Sequence, residues 1–290
     1  MDQTNGKTVA IITFEKKDNR EKDSIGSSRI RGKWLWENWD EAEEFWIGKN
    51  YETVIFQKVY WMSFASQFEG IKIFDLCDPD SLDGRPVVEM MSLCDACTFS
   101  TEALKNYYSK LTDKPCYVIP DRINIQEHDK YKRGEHTGRA RTAVWVGYSH
   151  NSEIIEKAFP ILNEKQLDLT IISDNQITFF GEKQPKFVKY AYPKVHADIA
   201  KSDLMILPEY SSTDARQKYK SNNKDITAWA LGVPVVKVPD DLDHLMEAEN
   251  RNKEVSQWQE KIIKEYDVRL SVDQMKGVIE DVKRIRQTAI

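Results

Sequence analysis

Cysteine is scarce in this sequence, with four residues in 290: Cys77, Cys94, Cys97 and Cys116. Cys94 and Cys97 form a C-x-x-C, but no second such pair and no His pair stands at ligand spacing, so a structural zinc site is not expected. The pair lies in an apolar stretch, residues 90–99, rather than at an early strand-to-helix turn as in a thioredoxin-like unit. All four are therefore read as thiols in a reducing compartment. Long hydrophobic runs are missing too. None approaches the roughly 20 residues that cross a bilayer, and the polar start, Met1 to Lys7, lacks the apolar core of a signal peptide. A cytoplasmic protein is the expectation. An excess of positive charge is also lacking. The 42 Lys and Arg are outnumbered by 47 Asp and Glu, for a net charge of −5. That argues against a surface coated in basic charge for nucleic acid, although it leaves room for a local basic strip.

What is present fits a globular α/β protein. Hydrophobic residues make up 40%, charged residues 31% and aromatics 11%, with eight Trp, which excludes disorder of the whole chain. Short β-branched runs recur at residues 9–14, 53–56, 71–76, 96–100 and 116–119. Each reads as a buried strand. The residues from Trp34 to Trp46 read as one helix, because Leu35, Trp39, Ala42 and Trp46 fall at three- and four-residue steps. Residues 124–141 are polar and charged without apolar periodicity, and read as a linker. After them the rhythm restarts, with strands at 142–146, 167–172, 187–190, 204–207 and 233–238 and helices between them. Short strands alternating with helices imply right-handed βαβ units and parallel sheets. Two such series imply two Rossmann-like, doubly wound domains, 1–138 and 139–270. Residues 271–290 form one further amphipathic helix, with Val272, Met275, Ile279, Val282 and Ile285 on its apolar side.

Parallel sheets bind ligands at the carboxyl ends of their strands, and that rule selects the candidate loops. In the first half they are residues 26–32, with Ser28, Arg29 and Arg31, and the Asp78-Pro79-Asp80 turn. Glycines there allow close backbone approach, and arginines grip anions. The pattern is not G-x-G-x-x-G, so an NAD site is not expected. In the second half they are Gly147, Tyr148, Ser149 and His150; then Ser173 and Asp174; then residues 209–224. This last loop runs from Glu209 past Arg216, Lys220, Ser221 and Asn222 to a predicted helix start at Asn223, Lys224 and Asp225. Free N–H groups and partial positive charge at a helix start suit a diphosphate, and the cations would stabilise a leaving diphosphate without a metal.

The run from Lys220 to Val236, Lys-Ser-Asn-Asn-Lys-Asp-Ile-Thr-Ala-Trp-Ala-Leu-Gly-Val-Pro-Val-Val, resembles the donor-site helix of GT-B glycosyltransferases, particularly the retaining family 4 type. Residues 202–208 resemble the strand those enzymes place before it. Residues 142–147 resemble the opening strand of their donor domain, and residues 96–101 through 118–120 the end of their acceptor domain. The resemblance implies a GT-B fold of two Rossmann-like domains facing a cleft. Its acceptor domain would be first and its donor domain second, with residues 271–290 crossing back to the first. It implies transfer of a sugar from a nucleoside diphosphate sugar to an acceptor hydroxyl, with retention, no cofactor and no required metal. Lys220, Lys224 and Arg216 would neutralise the leaving diphosphate. Gly147, Tyr148, Ser149, His150, Ser173, Asp174, Glu209, Ser221, Asn222 and Asn223 would line the donor. The family's ribose-binding Glu aligns with Thr227, so Asp225 is the acid available there. Ser28, Arg29, Arg31, Asp78 and Asp80 would face the acceptor, a glycan or a hydroxylated base in DNA. A nucleotide-sugar epimerase or hydrolase would need carboxylates converging on the sugar, and the absence of Glu at 227 counts against it. A non-catalytic nucleotide-sugar-binding protein is opposed by the intact Lys220 and Lys224.

Overall fold

A computed structural model describes residues 7–14, 25–179, 184–208 and 216–288. The chain forms two compact units. One is built from Met1–Ile123, Thr213–Asn222 and Asp267–Ile290, the other from Asn124–Ser212 and Asn223–Tyr266.

The first unit holds a six-stranded, wholly parallel sheet: β1 (Val9–Thr13), β2 (Ala42–Glu44), β3 (Thr53–Gln57), β4 (Ile71–Leu76), β5 (Ala96–Phe99) and β6 (Cys116–Val118), in the order β2-β1-β3-β4-β5-β6. Continuous apolar runs rather than alternating ones make β3 and β5, whose residues are all buried, as expected for strands covered on both faces. Val54, Phe56, Phe74, Leu76, Cys97 and Phe99 meet Val87, Met90, Met91, Leu104 and Tyr108 in one core cluster. The order reverses at β1, so the ligand-binding crevice of this sheet falls between β1 and β3.

The helix expected from Trp34 to Trp46 is much shorter. Helical segments Gly26–Ser28, Arg29–Lys33 and Trp34–Glu37 follow one another, the middle one π-wound, and the helix stops at Asn38, whose side chain donates to the Trp34 carbonyl at 2.8 Å. Ala42 then lies in register with Val9 on the edge strand β2. Trp39 and Ala42 are buried as the periodicity requires, but through a turn and a strand, while Trp46 is 49% exposed. Sheet pairing outweighs a helical pattern that one amide cap interrupts.

The second unit holds a five-stranded parallel sheet: β7 (Thr142–Val146), β8 (Asp168–Ser173), β9 (Lys186–Lys189), β10 (Leu204–Ile206) and β11 (Val235–Val236), in the order β11-β10-β7-β8-β9. Here the reversal falls between β7 and β10. Its core packs Trp145, Leu169, Ile171 and Ile206 against Ile155, Phe159 and Leu162 of helix Glu153–Glu164. Helices Asn223–Ala230, Pro239–Leu245 and Ala248–Glu265 complete it. Trp229 stacks on Trp258 with centroids 3.7 Å apart and donates to Glu254 at 2.7 Å. The stretch read as a linker contains helix Ile125–Asp129, capped by Asn124.

The last helix, Val268–Thr288, belongs to the first unit. Val272, Met275, Ile279 and Val282 are buried, and Ile285 is 44% exposed. Arg122 fastens its start to Ser271 and Gln274 (3.0 and 2.7 Å), and Arg286 fastens its end to Asp95 (2.7 Å). No helix among the described residues is long and apolar enough to cross a membrane.

Candidate active site

In the second unit the loops after β7 and β8 close on each other. The backbone N–H of Ser149 donates to Asp174 Oδ1 at 2.7 Å, the Ser173 hydroxyl donates to the same oxygen at 3.0 Å, and Asn175 donates to Oδ2 at 3.0 Å. The Ser149 amide above all, helped by the two serine side chains, lowers the Asp174 carboxyl to about 2. Asp174 is thus an anion tying two loops together. Gly147 starts the first of these loops, and a Cβ there would sit 2.4 Å from Cζ2 of the buried Trp145 ring, which is why no larger residue fits. Tyr148 and His150 stack with centroids 5.5 Å apart and stand in solvent.

Helix Asn223–Ala230 supplies the cation. Lys224, in its first turn, donates to the Val146 carbonyl at 2.9 Å and so places an ammonium at the carboxyl end of β7. Asp225 is buried and pairs with Lys237 at 3.3 Å, and Thr227 is half-buried. Lys237 follows β11 directly, a position the carboxyl-end rule also marks but that residue spacing did not single out.

In the first unit, Arg31 is 3% exposed and fully engaged. Its Nε and Nη2 donate to the two oxygens of Asp75 (2.8 and 2.5 Å), and its Nη1 donates to Asp121 Oδ1 and to the Ile119 carbonyl (both 2.8 Å). Thr98 adds a 2.6 Å bond to Asp75. Ser28 and Arg29 are buried as well, with the Arg29 guanidinium 5.5 Å from the Trp34 ring centre. These three of the five residues expected to face an acceptor are therefore inside the unit. Asp78 and Asp80 are held by Lys58, at 2.7 and 3.3 Å, and Tyr60 donates to Asp80 at 2.8 Å. Burial raises the Asp80 carboxyl above the usual range, and Lys58 and Tyr60 offset only part of it.

The segment ahead of Lys224 also belongs to the first unit. Tyr219 is buried in that unit's core, Arg216 pairs with Asp83 at 3.0 Å, and Ser221 donates to Asp121 at 2.5 Å. Lys220 and Asn222 are exposed, and Asn223 is half-buried. Glu209 lies outside the described residues. Among the described residues no group of three or more His, Cys, Asp or Glu is placed to hold a metal ion. Cys94 ends helix Val87–Leu93 and Cys97 lies within β5, both buried as free thiols. Asp75, Asp121, Lys58 and Tyr60 escaped sequence reasoning. Asp75 had a signal, a carboxylate among the otherwise apolar residues 73–76 of β4, which must find a partner when buried. Lys58 and Asp121 each follow closely on the end of a strand.

No known family profile matches the chain, and no curated protein matches it in sequence. Solved structures match it in fold. An α-glucosyltransferase in complex with UDP-glucose and DNA containing an abasic site superposes with a TM-score of 0.68 at 10% identity, over 94% of this chain and 99% of that one. The fold is GT-B. An α-glucosyltransferase with UDP and DNA containing an HMU base gives the same TM-score, identity and coverage. The DNA-modifying enzyme β-glucosyltransferase, solved with and without uridine diphosphoglucose, gives 0.51 at 11% identity over 97% of each chain. The two reversed parallel sheets described above are this GT-B chain's counterparts of those folds.

Proposed function

We propose that this chain is a glycosyltransferase that moves a hexose from a nucleoside diphosphate sugar to an acceptor hydroxyl, with retention of configuration, without a metal and in the cytoplasm. One observation carries the reading. Lys224, at the start of helix Asn223–Ala230, reaches the end of β7 at 2.9 Å. Ammonium, helix N–H groups and the Gly147–Ser149 backbone are thereby assembled at the carboxyl end of a parallel sheet, where a diphosphate is favoured. The GT-B fold supports it.

The roles follow from the chemistry. As the sugar–phosphate bond breaks, charge builds on the leaving diphosphate. Lys224 offsets it. Gly147 lets the backbone approach the phosphates, and Tyr148, Ser149, His150, Ser173 and Asp174 border that loop. Asp225 serves the ribose, with Thr227 standing where the resembling family has Glu. Asp78 and Asp80 meet the acceptor. A hydroxylated base in DNA is favoured over a glycan as acceptor, because the α-glucosyltransferases that share the fold were solved with DNA.

The test is a thermal-shift panel of nucleoside diphosphates and UDP-glucose. A ligand at about 100 times its Kd stabilises by about 2.7 kcal/mol, or roughly 5–10 °C for domains of this size. If no nucleoside diphosphate raises the melting temperature, the reading fails. Mass spectrometry of hydroxymethylpyrimidine DNA and of oligosaccharides, each incubated with the stabilising nucleotide sugar, then separates the two acceptors by which one gains a hexose.

A further inference from the structure

Four exposed cations share one edge of the first unit. Arg85 stands in the turn after β4, and Arg216, Lys218 and Lys220 stand on the segment 216–222 that packs on this unit. Arg29 and Arg31, the arginines expected to meet an acceptor, are 8% and 3% exposed and engaged inside the unit.

The segment is held by the side chains between its cations. Tyr219 is 6% exposed, its ring lies 5.4 Å from that of Tyr107, and its carbonyl accepts from the Thr101 hydroxyl at 3.2 Å. Ser221 donates to Asp121 Oδ2 at 2.5 Å, and Arg216 pairs with Asp83 at 3.0 Å. Asp83 follows β4, Thr101 follows β5 and Asp121 follows β6, so the segment crosses the carboxyl ends of three neighbouring strands. With Tyr219 and Ser221 turned to the unit, the alternation of an extended backbone (φ −69°, ψ 144° at Lys220) sends Lys220 outward. The Lys218 ammonium lies 4.9 Å from the Tyr219 ring centre. Arg85 joins the row through its backbone N–H, which donates to the Asp80 carbonyl at 3.1 Å.

This charge runs against the chain as a whole, whose net charge is −5. Asp83 is matched to Arg216, and the flanking Asp78 and Glu102 have cations of their own, Lys58 at 2.7 Å and Lys105 at 3.8 Å. Arg85, Lys218 and Lys220 are thus a local positive excess of the kind that draws a polyanion. Duplex DNA carries a phosphate about every 3.4 Å along each strand, so a row of cations on one segment can meet successive phosphates. Arginine forks match phosphate oxygens in pairs.

We propose that Arg85, Arg216, Lys218 and Lys220 form a strip that grips the phosphate backbone of duplex DNA beside the Asp78–Asp80 turn. The inference rests on the DNA acceptor favoured above and lies wholly within the first unit.

The experiment is fluorescence anisotropy of a labelled duplex, titrated with the full-length protein over a range of salt. Phosphate contacts carry no sequence information, so the duplex needs no modified base. The fourfold variant Arg85→Gln/Arg216→Gln/Lys218→Gln/Lys220→Gln is expected to bind about two to three orders of magnitude more weakly at low salt. Its slope of log affinity against log salt should be shallower than the parent's by about 3 to 4. Lys220→Gln alone should change the slope by about 1, which keeps the test open should the fourfold variant melt lower. A second fourfold variant, Lys157→Gln/Lys201→Gln/Lys261→Gln/Lys283→Gln, removes equal charge from exposed sites elsewhere and is expected to bind close to the parent. If it weakens binding as much as the strip variant, net charge and not the strip is responsible, and the proposal is overturned. Tight heparin binding without duplex binding also overturns it, the partner then being an anionic glycan. If the parent binds duplex and the strip variant matches it in affinity and slope, the DNA acceptor stands and the strip falls. If the parent binds no duplex, both fall, while the donor reading keeps its own thermal-shift test.

Discussion

Arg31→Met tests what the buried cluster of the first unit is for. Methionine is close to arginine in length and adds no polar atom, so the change removes the cation while leaving most of the volume filled. Asp75, fully buried, loses two donated bonds, and Asp121, 5% exposed, loses one. The Ile119 carbonyl loses its bond as well. Removing one partner of a buried ion pair costs about 3–5 kcal/mol. With two carboxylates stranded, the upper part of that range applies, about 4–5 kcal/mol. At roughly 2–4 °C per kcal/mol for a domain of this size, melting should fall by about 8–20 °C. The assay is calorimetric or circular-dichroism melting at pH 7. A fall of less than about 3 °C at pH 7 would refute the structural role. If that small fall came with lost DNA or nucleotide binding, Arg31 would instead be the ligand-gripping arginine that its place after β1 suggests.

Three further outcomes are expected. Lys224→Ala should lower turnover by about two to three orders of magnitude with melting unchanged, as for loss of one group offsetting transition-state charge; full activity by product assay would remove the residue from the mechanism. Gly147→Ala drives a methyl to within 2.5 Å of two atoms of the buried Trp145 ring, an overpacking worth about 1–3 kcal/mol, and a melting temperature equal to the parent's would show that the ring can yield. Asp203 accepts from the amides of Arg141 and Thr142 and from the Thr142 hydroxyl, at 2.9, 3.1 and 3.0 Å. Burial opposes its ionisation, but His136 and these donors outweigh that and depress its carboxyl well below the usual range. Its contribution is therefore complete above about pH 4 and is lost as pH falls further. Asp203→Asn should cost about 1.5–3 kcal/mol near neutrality, and its gap from the parent should narrow as pH falls below about 4; equal unfolding midpoints at pH 7 would contradict this.

Local composition determined the strands and the loops that follow them. Runs such as Thr53–Gln57 and Thr142–Val146 are β-branched and short, and local composition is enough to make them strands in a parallel sheet. Because ligands gather at the carboxyl ends of such strands, Gly147, Ser149, Asp174 and Lys224 could be named from order along the chain, and the structure places each of them in the second unit beside β7 or β8. Tertiary structure alone decided the rest. Arg31 reads as an anion-gripping arginine of a loop until Asp75, 44 residues on, and Asp121, 90 residues on, are brought against it. The apolar spacing from Trp34 to Trp46 gave no sign that a strand pairing with Val9 would take Ala42 out of the helix. Residues 216–222 lie between two elements of the second unit in sequence, yet Tyr219 and Ser221 find their partners in the first. The physical reason is common to all three. Propensity and periodicity act over a few residues, whereas burial of a charge, a ring or an edge strand is settled by whichever distant group can satisfy it.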